Sequence, residues 1–149
     1  MLVKEYMTRH PLMVEPDMSI VDAQCYMAQN NVRHLPVVGD GKRLLGLVTR
    51  QRFLVDPHTL ASLDVWEIAR TLSGLNVKDV MIKAKDVVTV DPELTIEEAA
   101  QRMVEKKIGC LPVVEEDVVV GIISEVDLLA HLAEMMGSRW RGVRVTVRM

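Results

Sequence analysis

Aromatic residues are scarce: Tyr6, Tyr26, Phe53, Trp66 and Trp140 are the five in 149 positions. They stand too far apart in the sequence to form the stacking platform on which single-stranded nucleic acid is held. Charge of one sign is also lacking. A formal net charge of -3 gives no general attraction to nucleic acid or to an anionic membrane, and no basic patch dominates the first 138 residues. Arg139, Arg141, Arg144 and Arg148 crowd the end of the chain, where the outward face of a strand is the simplest account of them. No stretch approaches the ~18 uninterrupted apolar residues of a membrane span, and the opening MLVKEYMTRHP carries charge and proline where a secretion signal is apolar. A cytoplasmic protein is expected, with neither nucleic acid nor membrane as partner. Cysteine is limited to Cys25 and Cys110, without CxxC spacing and among apolar neighbours, so both are expected as buried, reduced thiols.

The constellations of catalysis are missing too. His10, His34, His58 and His131 stand apart without HExxH spacing, and there is no phosphate-cradling G-x-x-x-x-G-K-S/T or G-x-G-x-x-G loop. The ten methionines read as core filling rather than metal ligands. No enzyme activity, required cofactor or metal site is expected.

What is present is a repeat, and a missed repeat misassigns a whole fold. Val3-Lys4-Glu5-Tyr6-Met7 answers Val77-Lys78-Asp79-Val80-Met81 at an offset of 74. Val14-Glu15-Pro16 answers Val90-Asp91-Pro92, Ala23 answers Ala99, Met27 answers Met103, and Leu35-Pro36-Val37-Val38 answers Leu111-Pro112-Val113-Val114, all at 76. Gly46-Leu47-Val48-Thr49 answers Gly121-Ile122-Ile123-Ser124 at 75. The slips fall in loops, as duplication of a folded unit requires.

Each copy reads alike. An extended segment ends at Pro16 or Pro92, and Ser19 or Thr95 then stands as a helix N-cap. Ile20, Ala23 and Met27, like Ile96, Ala99, Ala100 and Met103, form the apolar stripe of a helix that packs on a sheet. Two apolar runs follow in each copy, around Gly39-Asp40-Gly41 and around Glu115-Glu116-Asp117, and read as hairpins buried on both faces. A second helix begins at Thr49 or Ser124; Val126, Leu129, Ala130 and Ala133 are its expected stripe, with Gly137 as its C-terminal cap. The expectation is an α/β (α+β) fold of two βαββα units, each too small to be comfortably stable alone. Val65, Ile68, Ala69 and Leu72 mark an extra connecting helix between them. The boundaries read as residues 1–58 for the first repeat, 59–76 for the connecting helix and linker, 77–136 for the second repeat, and 137–149 for a tail.

VRHLPVV followed by GLVTRQRFL, and IGCLPVV followed by GIISEVDLL, resemble the tandem CBS-domain family (the Bateman module), over about residues 3–54 and 77–133. More narrowly they resemble the bacterial acetoin-utilisation proteins, in which a CBS pair precedes an ACT domain. On that resemblance the strand-like Arg144-Val145-Thr146-Val147-Arg148-Met149 reads as the first strand of an ACT-like domain. The resemblance implies a pseudo-twofold pair that binds AMP, ADP, ATP or S-adenosylmethionine, forms a homodimer, and passes ligand occupancy to an attached domain or a regulated enzyme, in acetoin or acyl metabolism.

The residues themselves fit such a ligand. Ribose offers two neighbouring hydroxyl donors that a carboxylate at a helix start can accept, and the helix N-terminus favours a nearby phosphate. Asp127 stands in that place, and Ser124 would bond sugar or phosphate. A Ser with an acid three residues later also caps a helix with no ligand at all, so capping and binding both stand for this pair. In the first copy Thr49 matches Ser124, but Arg52 replaces Asp127 and has no acceptor for ribose. Arg52, Arg33 and His34 are candidate phosphate contacts, or simply solvated basic residues. Gly109 and Cys110, the counterparts of Arg33 and His34, carry no charge, so the two clefts should differ. Met13 and Val14, with Val88 and Thr89, are candidates for holding adenine by apolar contact and backbone groups, with core packing as the alternative.

Overall fold

The computed structural model describes residues 1–50 and 74–137. Arg52, most of the expected connecting helix and nearly all of the tail lie outside them. In chain order the elements are α1 (Val3–Tyr6), β1 (Thr8–Arg9), α2 (Ile20–Asn30), β2 (His34–Val38), β3 (Leu44–Thr49), α3 (Val77–Val80), β4 (Ile82–Lys83), α4 (Ile96–Lys106), β5 (Cys110–Glu115), β6 (Val118–Ser124) and α5 (Glu125–Met135).

The helices start where the caps require. Ser19 Oγ accepts from the Asp22 amide at 3.1 Å, and Thr95 Oγ1 from the Glu98 amide at 3.2 Å, each satisfying a donor the first helical turn leaves free. Their inward faces are the expected stripes: Ile20, Ala23 and Met27 on α2, and Ile96, Ala99 and Met103 on α4, are buried. Cys25, on the outward side of α2, is exposed while Cys110 is buried. The expectation of two buried thiols is corrected for Cys25, which lies about 200° around the helix from Ala23 and so away from the core.

Both hairpins form. β2 pairs antiparallel with β3, and β5 with β6, in matching registers: His34 faces Thr49, and Cys110 faces Ser124. Each hairpin gains a parallel bridge on its outer edge, Val14 to Val37 and Val90 to Val113. Among the described residues no helix is long and apolar enough to cross a membrane.

The two compact units do not coincide with the two sequence repeats. One unit runs from Leu12 to Val87; the other joins Met1–Pro11 to the chain from Val88 onward. In the first unit the sheet order is β2-β3-β4, and its core gathers Val14, Ile20, Ala23, Met27, Val32, Leu35, Val37 and Val48 with Val77, which belongs to the second sequence repeat. In the second unit the order is β1-β6-β5, and the core gathers Val90, Ile96, Ala99, Met103, Leu111, Val113 and Ile123 with Val3, from the first repeat. The leading segments are thus exchanged. Each docks by the same bonds: the Lys4 amide donates to the Pro92 carbonyl at 3.0 Å, and the Lys78 amide to the Pro16 carbonyl at 2.9 Å. Close approach needs a glycine in each receiving strand. A Cβ on Gly46 would lie 2.5 Å from the Ile82 carbonyl oxygen, and one on Gly121 would lie 2.5 Å from Met7 Sδ.

The expected stripe on the last helix is corrected. Val126 and Leu129 are exposed, whereas Asp127 is buried and Leu128 packs on the core. The cap at Ser124 sets the phase of α5, turning Asp127, Leu128 and His131 inward as near neighbours at helical spacing. Gly137 follows the helix with φ 107°, the left-handed conformation expected of a terminating glycine.

Candidate ligand-binding site

The end of β6 passes directly into α5, and Ser124 is the hinge residue between strand and helix. Its amide donates to Asp127 Oδ2 at 2.8 Å, its hydroxyl donates to the same oxygen at 3.1 Å, and its Oγ accepts from the Asp127 amide at 3.3 Å. This is a reciprocal capping box. Ser124 is 2% and Asp127 8% exposed, and among the described residues they are the two buried polar side chains. Burial pushes the Asp127 carboxyl above its ordinary value, while the two hydrogen bonds from Ser124 pull it back in part. Opposite Ser124, Cys110 has its thiol pushed up by burial and by the neighbouring Asp127 charge.

Around this pair the second unit brings further expected residues to one end of its sheet. The parallel bridge at Val90–Val113 puts Val88 and Thr89 on the outer edge, level with the start of β5, where Cys110 pairs with Ser124. Val88 packs partly on the core, and the Thr89 carbonyl accepts from Arg102 at 3.1 Å. The Glu125 amide donates to the Gly109 carbonyl at 2.9 Å. The Glu125 carboxylate lies over Gly109, 3.2 Å from where a Cβ would stand. Glu125 was not singled out by the motif, yet the repeat offset sets it against Arg50 and so contained the signal.

The first unit has the same frame with other side chains. Thr49 faces His34 across β3 and β2, and the Arg50 amide donates to the Arg33 carbonyl at 2.9 Å. Arg33 and Arg50 are exposed; His34, Thr49 and Met13 are half-buried. Val14 is 2% exposed, and its amide and carbonyl are spent on Pro36 and Val38. Met13 is therefore the member of that pair with surface to offer a ligand.

His131, one turn beyond Asp127, packs against Tyr6 with ring centroids 4.3 Å apart and the rings tilted by 57°. Both its ring nitrogens are buried without a hydrogen-bond partner. Among the described residues no group of three or more His, Cys, Asp or Glu side chains is placed to hold a metal ion.

The CBS-domain family model matches residues 3–55 and 77–134. The chain belongs to the CBS-domain family. Protein MJ1225 of Methanocaldococcus jannaschii is 31% identical to this CBS pair over 133 residues, which cover 89% of the chain and 47% of that relative. The chain thus spans about half the length of that relative. Among solved structures, one described as an acetoin utilization protein (AcuB) from Vibrio cholerae superposes with a TM-score of 0.74 at 33% identity, covering 91% of this chain and 93% of its own. The CBS protein CBSX2, solved in complex with AMP, superposes with a TM-score of 0.76 over 91% of this chain and 98% of its own. Its 24% identity makes that likeness one of fold.

Proposed function

We propose that this CBS pair is a regulatory module that binds an adenosine-containing ligand, one of AMP, ADP, ATP or S-adenosylmethionine, and transmits occupancy to an attached domain or partner. The observation that carries the reading is the buried Ser124–Asp127 pair at the start of α5. A carboxylate is costly to bury, and hydrogen-bond donors offset that cost. Ser124 supplies two donors to Oδ2, and the vicinal hydroxyls of a ribose would supply two more. Thr89, Val88 and the start of β5 would face the base. In the first unit Met13, Thr49, Arg33 and His34 are the corresponding contacts, with Arg52 from the sequence as a further phosphate donor. A ligand regulates only through its differential affinity for two arrangements of the protein. The likeness to AcuB supports a target in acetoin or acyl metabolism, with an ACT-like domain or a controlled enzyme as the receiver and a homodimer as the working form. The chain itself is read as non-enzymatic.

Calorimetric titration with the four ligands tests the proposal. One of them binds at micromolar or tighter affinity, and Asp127→Ala removes that binding while circular dichroism stays native. Absence of binding to folded, nucleotide-free protein overturns the sensor reading.

That second result favours the alternative of a structural interaction module with vestigial clefts. Its support is the outward face of α5, where Leu129, Leu132 and Met135, with Met136 just beyond the helix, are 49–79% exposed and suit a protein partner.

A further inference from the structure

Backbone equivalence between the two units makes their side-chain differences informative. The amide following each third strand bonds the carbonyl preceding each second strand at 2.9 Å, Arg50 to Arg33 in one unit and Glu125 to Gly109 in the other. Thr49 and Ser124 are matched by register, as are His34 and Cys110. On this common frame the charges are opposite. The first unit presents exposed Arg33 and Arg50 beside His34 and Thr49. The second presents exposed Glu125 lying over Gly109, with buried Asp127 two residues on. The second unit's nearest cations in sequence, Lys106 and Lys107, are exposed at the end of α4, and Arg102 is bonded to the Thr89 carbonyl on the outer edge.

We infer that the two units sort adenosine ligands by charge: the Ser124 end takes an adenosine compound without net negative charge, and the Thr49 end takes a phosphorylated one. The inference rests on the adenosine-sensor reading and narrows it: of the four ligands named there, S-adenosylmethionine is the one whose binding Asp127→Ala removes, and AMP, ADP or ATP binding survives that exchange. A phosphate monoester carries close to two negative charges at neutral pH. Brought beside Glu125 and Asp127 it is repelled, and the same group beside two guanidinium forks gains charge-assisted hydrogen bonds. A free nucleoside, or the cationic sulfonium of S-adenosylmethionine, meets no such repulsion at Glu125. The ribose acceptor, Asp127, belongs to the end that excludes phosphate, so sugar recognition and phosphate recognition are divided between the repeats.

Adenosine and AMP differ by the phosphate alone and are the matched probes. The full chain is titrated with each by calorimetry, singly and in the presence of the other, as wild type, Glu125→Gln, Asp127→Asn, and Arg33→Gln with Arg50→Gln. All the exchanged residues except Asp127 are exposed, and Asn keeps an oxygen for the Ser124 donors, so the fold is retained in each. Expected are two independent sites. The double arginine variant weakens AMP about tenfold at low salt and adenosine by less than about twofold. Asp127→Asn weakens adenosine about tenfold and leaves AMP in place. Glu125→Gln admits AMP to the second site about threefold more tightly. AMP and adenosine displacing each other from one site, both weakened by Asp127→Asn and neither by the arginine exchanges, overturns the sorting while leaving the sensor reading intact. Failure of both probes and of S-adenosylmethionine to bind removes the sensor reading, and the sorting with it.

Discussion

The amide of Val3 donates to the carbonyl of Leu94 at 2.8 Å, joining residues 91 positions apart, and the amide of Val77 repeats the bond to Met18 at 2.8 Å. Both valines are fully buried, each in the core of the unit built mainly from the other repeat. Val3→Ala should therefore destabilise the Val88 unit, by roughly 1–3 kcal/mol for lost burial and the cavity left behind. Hydrogen exchange read by NMR should speed up in α4, β5 and β6. Loss of protection in β2 and β3 instead would contradict the exchange of segments.

Gly46→Ala should cost about 1–3 kcal/mol in urea unfolding, because a backbone carbonyl blocks the added methyl. Gly121→Ala should cost less. Its closest obstacle is the sulfur of Met7, the end of a flexible side chain, and the Thr8 carbonyl oxygen stands farther off at 3.0 Å. Equal costs would mean that Met7 is held as firmly as backbone.

The buried Asp127 carboxyl makes stability depend on pH in a stated direction. Its value in the folded protein is raised above the ordinary 3.8, with burial as the first cause. The folded state then holds the proton more tightly than the unfolded chain. Stability from this group is complete below 3.8 and is lost as pH rises through the raised value. Urea unfolding of wild type and Asp127→Asn across pH of about 3.5 to about 7 should show the difference moving in favour of Asn as pH rises. A difference that moves the other way would mean that the Ser124 hydrogen bonds outweigh desolvation.

The two thiols should separate cleanly by reagent. Cys25 is exposed and Cys110 is 3% exposed, with its thiol held protonated by burial. Ellman's reagent should titrate one thiol promptly in native protein and the second only after denaturant is added. Prompt reaction of both would place Cys110 at a surface.

The repeat, the helix stripes and the hairpins were legible because each depends on neighbours close in sequence. Ser19 and Thr95 cap the helices that their positions predict, and the 76-residue offset carries over to paired core residues such as Leu35 and Leu111. The destination of Val3 and Val77 was not legible. The two leading segments share Val, Lys and Met at matching positions, so pattern alone does not say which unit receives each. The phase of α5 was misread for a related reason. An apolar count favours Val126 and Leu129, but the cap at Ser124 turns Asp127 inward, and a buried acid leaves no hydrophobic signal. Ser124 and Asp127 were legible as a motif, whereas Glu125 and Arg50 emerge once the hydrogen bonds to Gly109 and Arg33 align the two units.

Exchange of the leading segments also bears on how the chain is made. Residues 1–11 leave the ribosome well before their partner strand, β6, has been translated, and the Leu12 unit lacks Val77 and β4 until the second repeat has begun to emerge. Neither repeat can close its core during its own synthesis. Completion waits on contacts spanning most of the chain, the kind that slow folding and prolong exposure of unpaired strand edges. A gene cut between the repeats would therefore yield two half-proteins, each carrying a segment that fits its sibling and missing one that fits itself.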